Sequence, residues 1–163
     1  AALDGEHFDR AYASDLSRAT ETARAIVAKS GLELSVDPRL REFDFGQWEG
    51  LTWDQIVERW PEQQAIEFTD ALHYHPAGGE SFADVEQRVA SFLFDLERKE
   101  RGRALVATHA GVLHAVLSVL SPRLPVEQRS RDVIFAPASI TRITMNGDGA
   151  RLITLNDVRH SNT

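Results

Sequence analysis

The most constraining stretch of this 163-residue chain runs from position 104 to position 120. Ala104, Leu105, Val106 and Ala107 follow the charged Arg101-Gly102-Arg103, and so small and apolar a run suits a central strand buried on both faces. Gly111 breaks the run, and Val112, Leu113, Val116, Val119 and Leu120 continue at helical spacing. His109 therefore stands where a strand ends and a helix begins. In an open α/β sheet ligands bind at that place, because the helix N-terminus offers free N–H groups and a partial positive charge. An anion, most simply a phosphate, would be held there beside His109. The other reading is a polar strand-end residue satisfied by backbone, and this stretch alone leaves both open.

Composition narrows the partners. The length suits one domain with a full core, and the net charge of −7 argues against non-specific binding to nucleic acid or an anionic membrane. An anionic ligand must then be met by a local cationic pocket. There is no cysteine, so disulfides, thiolate metal sites and a thiol nucleophile are excluded. No apolar run reaches membrane-spanning length and residues 1–10 do not read as a signal peptide, which fits a cytoplasmic enzyme or binding protein.

Read in order, residues 1–5 look like the last turn of a helix running into a glycine stop, the tail of something already begun. Residues 8–13 suit a strand, and a helix opens at Ser14 with Leu16, Ala19, Ala23, Ile26 and Val27 on one face. After Gly31, residues 32–36 suit a second strand. Residues 40–50, aromatic and acidic with two glycines, read as an ordered loop. Thr52 and Gln55 form a capping-box pattern for a short helix that Pro61 interrupts, and residues 62–72 are weakly helical. Ser81 and Asp84 cap the best helix, whose Phe82, Val85, Val89, Phe92, Leu93 and Leu96 share a face. Pro122 and Pro125 mark a turn, and residues 139–145 and 150–155 alternate like strands around Asn146-Gly147-Asp148-Gly149, a hairpin signal. The alternation predicts an α/β fold, a three-layer α/β/α sandwich with a mixed, mostly parallel sheet, in one domain.

Three segments carry candidate chemistry: Arg18 in residues 14–23, Glu42 in residues 40–50, and His109. Phosphoryl transfer needs cationic donors around the equatorial oxygens, a group to receive the phosphoryl, and an acid for the leaving oxygen. Arg18 can donate bidentately from the first turn of a helix, and Glu42, among Phe43, Phe45 and Trp48, can supply the acid. Taken singly, Arg18 is equally a surface partner of Asp15 or Glu21, and Glu42 a solvated loop carboxylate.

Together the segments resemble a known family. Ser14-x-Leu16-x-Arg18-Ala19-x-x-Thr22-Ala23 is similar to the S-x-L-x-R-A-x-x-T-A signature of the histidine phosphatase (phosphoglycerate-mutase-like) superfamily, branch one. Leu40-Arg41-Glu42 with Phe45-Gly46-x-Trp48-Glu49-Gly50 resembles its L-x-E…G-x-x-E-G loop, Gly78-Gly79-Glu80-Ser81 its G-G-E-S turn, and Thr108-His109-Ala110-Gly111 its second-histidine motif. The resemblance implies that Arg18 contacts phosphate, Glu42 is the proton donor and His109 stabilises the transferring phosphoryl. It also offers the Ala110 N–H as a further phosphate donor, Phe45 as a substrate contact, and turn and capping roles for Glu80 and Ser81. The implied activity is hydrolysis of a small phosphomonoester through a phosphohistidine, with no cofactor and no metal. A phosphoglycerate-type mutase and a non-catalytic phospholigand binder are the alternatives. Small sugar, glycerate or nucleotide-loop phosphates are the substrates implied.

One family element is missing from these residues. The family begins with a strand ending in R-H-G, whose histidine is the phosphorylated nucleophile, and no such segment precedes residue 8. A strand, loop and helix occupy on the order of forty residues, so the expectation is that this segment was removed or is supplied separately. Arg159-His160-Ser161 imitates the motif, as a circularly permuted chain would, but follows a terminal strand with no helix after it. Leu155-Asn156-x-x-x-His160 fits the family's terminal L-N-x-x-x-H pattern better. His73-x-His75 is half a metal site without a third ligand, and His114, five residues past His109, reads as structural.

Overall fold

The structure is a computed structural model that describes residues 3, 5–62, 75–99, 102–125, 128, 133–147 and 149–161. The expected helix tail at residues 1–5 and the weak helix at 62–72 fall mostly outside these residues, as does His73. Three parallel strands make the central sheet: β1 (Arg10–Ala13) lies between β2 (Leu34–Val36) and β3 (Ala104–Ala107). Parallel neighbours need crossovers, and helices supply them. α1 (Ser17–Val27) joins β1 to β2, while α2 (Trp53–Arg59) and α3 (Phe82–Lys99) lie between β2 and β3.

Alternation along the strands sorts the layers. Ala11 and Leu105 pack with Val27 of α1 on one face. On the other, Tyr12 and Val106 pack with Val85, Val89 and Phe92 of α3 and with Val112, Ala115 and Leu120 of α4 (Ala110–Leu120). Tyr12 meets Phe92 edge to face, with ring centroids 5.5 Å apart. This is the expected three-layer α/β/α sandwich. Truncating a fully buried leucine such as Leu120 to alanine costs about 2–5 kcal/mol.

The helices begin where their side chains satisfy the first N–H groups. Thr52 and Gln55 form the full reciprocal capping box of α2. Ser81 Oγ accepts from the Asp84 N–H at 3.1 Å, and Asp84 Oδ2 accepts in return from the Ser81 N–H at 2.8 Å. α1 starts at Ser17, three residues later than the pattern predicts, because Ser14 Oγ accepts the Leu16 N–H and holds that turn outside the helix.

The hairpin forms as expected, from β4 (Ile140–Asn146) and β5 (Gly149–Asp157), with the Gly149 N–H donating to Asn146 Oδ1 at 2.9 Å. Its strands pair with each other in a sheet of their own. They still send Ile143, Met145 and Leu152 against the core that α3 and α4 build. Asn156, at φ 53°, staples the preceding loop: it accepts from the Ala136 N–H and donates to the Ile134 carbonyl. His114 stacks edge to face on Phe135 at 5.0 Å, the structural role read for it.

Candidate active site

β1 and β3 both end at one edge of the parallel sheet, and the segments that follow them meet there. Arg18 is the second residue of α1, after the turn that leaves β1. His109 follows β3 and is the N-cap residue of α4. The Arg18 Nε–H donates to His109 Nδ1 at 3.2 Å. An accepting Nδ1 leaves the proton on Nε2. That Nε2 is buried and has no hydrogen-bond partner among the described residues. His109 is 8% exposed, so the orphaned donor is costly unless a ligand satisfies it. Burial, and next the charge of Arg18, hold the imidazole below its ordinary 6.5 against the pull of Glu42 and Asp15, so it is neutral at pH 7.

Ala110 is the first residue of α4, so its N–H has no acceptor within the helix. It follows His109 directly in the chain, at the positive end of the helix dipole. The next N–H, of Gly111, donates to Glu42 Oε1 at 3.1 Å, and the Phe43 N–H donates to the same oxygen at 3.0 Å. Glu42 Oε2 is left without a partner among the described residues. A Cβ on Gly111 would lie 2.5 Å from Glu42 Oε1, so only glycine admits the carboxylate here.

The loop that carries Glu42 is fastened to both strand ends. Thr108 Oγ1 donates to the Leu40 carbonyl at 2.8 Å. Arg41 pairs with Asp15, just before α1, with Nε to Oδ1 at 3.1 Å, and this hydrogen bonding holds the Asp15 carboxyl below the usual carboxylate range. Arg18, Glu42, His109 and Ala110 are thus brought together, as the sequence predicts. Phe45 lies on the same loop, 43% exposed, with its ring 5.0 Å from that of Phe43.

The other sequence candidates sit elsewhere. Arg159 pairs with Asp157, and His160 shares a surface recess with Arg142. Arg142 binds Glu6, which also holds Arg103, the residue before β3. His160 is therefore grouped with the start of β3, whereas His109 follows its end. His75 Nδ1 lies 3.2 Å from the Pro76 carbonyl oxygen. Among the described residues no three His, Asp or Glu side chains are grouped so as to hold a metal ion, and no helix is long and apolar enough to cross a membrane.

Sequence reading missed Arg88. It lies three residues after Val85 and four before Phe92, beside the apolar stripe of α3. Its place beside that stripe is the one hint of a specific partner, and the partner is the half-buried Glu80, with Nε to Oε1 at 2.7 Å.

Comparison with known proteins bears on this arrangement. The family model of the histidine phosphatase superfamily (branch 1) matches residues 1–158. The chain is 38% identical over 130 residues to a 2,3-bisphosphoglycerate-dependent phosphoglycerate mutase of Allorhizobium ampelinum, covering 76% of this chain and 61% of the relative. It is 33% identical over 119 residues to an adenosylcobalamin/alpha-ribazole phosphatase of Escherichia coli, covering 72% and 59%. These alignments span about three fifths of each relative's length. Among solved structures, a mycobacterial glucosyl-3-phosphoglycerate phosphatase complexed with VO3 superposes with a TM-score of 0.80 at 28% identity, over 96% of this chain and 80% of that one.

Proposed function

Since the chain belongs to the histidine phosphatase superfamily, branch 1, we propose that it is the core of a phosphomonoester hydrolase acting on a small phosphorylated metabolite through a phosphohistidine intermediate. The observation that carries the reading is the buried His109 Nε2, without a partner among the described residues, on a ring whose Nδ1 accepts from Arg18 and which stands just before the Ala110 N–H and the Gly111 N–H that holds Glu42. On this reading three donors, Arg18, His109 Nε2 and the Ala110 N–H, serve one anion, with an acid next to them. A pure binder has no use for that acid.

On this reading the attacking histidine belongs to an R-H-G segment outside the 163 residues. β3 pairs only with β1 and β4 only with β5 among the described strands, so each offers an edge to a further strand. In the first step the histidine nitrogen attacks phosphorus and the ester P–O bond breaks. Arg18, His109 Nε2–H and Ala110 N–H hold the equatorial oxygens while Glu42 gives its proton to the leaving alkoxide. In the second step Glu42 takes a proton from water, the oxygen attacks phosphorus, the P–N bond breaks and inorganic phosphate leaves. Phe45 borders the leaving group. Two relatives named as phosphatases support hydrolysis, and the mutase relative supports the alternative of returning the phosphoryl group to a bound sugar acid.

The test is hydrolysis of p-nitrophenyl phosphate by the full-length protein. Loss of one such donor lowers kcat by about 10²- to 10³-fold, so His109→Ala is expected to fall in that range while the protein stays folded. Vanadate binding that weakens in Arg18→Ala, with no turnover in any variant, would instead mark a binder. Isomerisation of added phosphoglycerate without phosphate release would mark the mutase.

A further inference from the structure

Resting on the hydrolase reading, we propose that Glu80 and Arg88 are positioning residues for the proton donor Glu42, a clamp that presents its free carboxylate oxygen to the leaving group. The Arg88 side chain is 16% exposed and rises from α3, an 18-residue helix. Its Nη1 donates to the Arg39 carbonyl at 2.7 Å and its Nη2 to the Glu42 carbonyl at 3.3 Å. Nε and Nη2 also donate to Glu80, at 2.7 and 2.9 Å. Glu80 Oε2 accepts the Asp44 N–H at 3.1 Å, and the Glu80 N–H donates to the Asp44 carbonyl at 2.9 Å. Apart from the two that join Arg88 to Glu80, these bonds fall on Arg39, Glu42 and Asp44, the stretch that carries the acid.

Two glycines let the clamp close. A Cβ on Gly46 would lie 2.5 Å from the Ala77 carbonyl oxygen, and one on Gly79 would lie 2.6 Å from that of Asp44. The turn around Gly78 and Gly79 therefore packs on the Glu42 loop backbone to backbone. From the other side the Gly111 N–H holds Glu42 Oε1. With the main chain fixed by Arg88 and Glu80 and one oxygen fixed by α4, Oε2 has a single direction left. A half-buried ion pair is a weak source of stability compared with apolar packing. Its four bonds to the backbone of Arg39, Glu42 and Asp44 are what apolar packing could not provide.

The acid matters in proportion to the basicity of the leaving oxygen. An alkyl phosphate needs its proton, whereas p-nitrophenolate leaves nearly unaided. In the full-length protein Glu80→Gln and Arg88→Lys are expected to lower kcat/KM, which reports the phosphoryl-transfer step to the histidine, by about 10- to 100-fold for an alkyl phosphate, the scale of a small misplacement of a reacting group, and by less than about 3-fold for p-nitrophenyl phosphate. Glu42→Gln should show the same split, more steeply. Amide hydrogen exchange supplies a readout that needs no turnover: the Gly111 N–H loses protection in both clamp variants while Leu117, in the same helix, keeps it. Equal losses on both substrates with Gly111 protection unchanged would overturn the proposal. Protection lost along the whole of α4 would overturn it as well, since the pair would then serve only the fold. If no protein, wild type included, hydrolyses either ester, the hydrolase reading fails, and Gly111 exchange still decides whether the clamp holds Glu42.

Discussion

The two sides of the site are built to different tolerances. On one side Arg18 is exposed and makes a single 3.2 Å bond, to His109, whose other nitrogen has no partner among the described residues. On the other, Glu42 has one oxygen on two backbone N–H groups, and its loop is tied to Thr108, Asp15, Arg88 and Glu80. On the proposed reading a bound anion completes the first side, whereas the Glu42 loop is already fastened among the described residues. Preorganisation is therefore spent where a proton must move along one line, and adaptability is kept where charge attracts.

The sharpest way to break this contrast is on the acid side. Gly111→Ala puts a methyl 2.5 Å from Glu42 Oε1, so the carboxylate must swing off the Gly111 N–H. Hydrolysis of alkyl phosphates should fall about 10²-fold, with unfolding free energy changed by less than about 1 kcal/mol, since alanine suits a helix better than glycine. Steady-state kinetics beside urea denaturation checks both.

A smaller effect belongs to the phosphate side. The folded protein resists protonating His109 more than the unfolded chain does. The unfolded state therefore binds more protons, and stability from this group rises with pH. It is complete above the unfolded value of 6.5 and lost as pH falls below it toward the depressed folded value. Urea midpoints should drop between pH 7.5 and pH 5, by less in His109→Gln than in wild type. Smaller still is Phe45→Ala, which removes a half-exposed ring at the loop's outer face. KM should rise about 10-fold, the low end of the 1–3 kcal/mol of an apolar contact, with kcat for p-nitrophenyl phosphate within about twofold.

Legibility in the sequence followed the same division. The helix faces, the two capping boxes and the hairpin were readable because each obeys a local period or a turn rule, as Val85, Val89 and Phe92 or Asn146 and Gly149 do. His109 stood out locally at a strand-to-helix junction, but its grouping with Arg18 and Glu42 was readable only through the family's motifs, since 91 residues separate Arg18 from His109 and no local rule links them. The clamp was hidden further. Arg88 in a charged helix resembles any solvated arginine, and Glu80 resembles a turn residue, until the fold puts both on residues 39–44. That the hairpin forms a sheet apart from the parallel one among the described strands is set by the long-range order of strands, which local pattern does not carry.

The most direct test is to trap the intermediate. The full-length Glu42→Gln variant is mixed with p-nitrophenyl phosphate, and nitrophenol and protein-bound phosphate are followed together in a rapid quench. The mechanism predicts a burst of about one nitrophenol per site, because that leaving group needs no acid, followed by slow turnover, because water lacks its base. The protein should carry an acid-labile, alkali-stable phosphate over the same interval. Turnover by the wild type with no phosphoprotein in either form would contradict it.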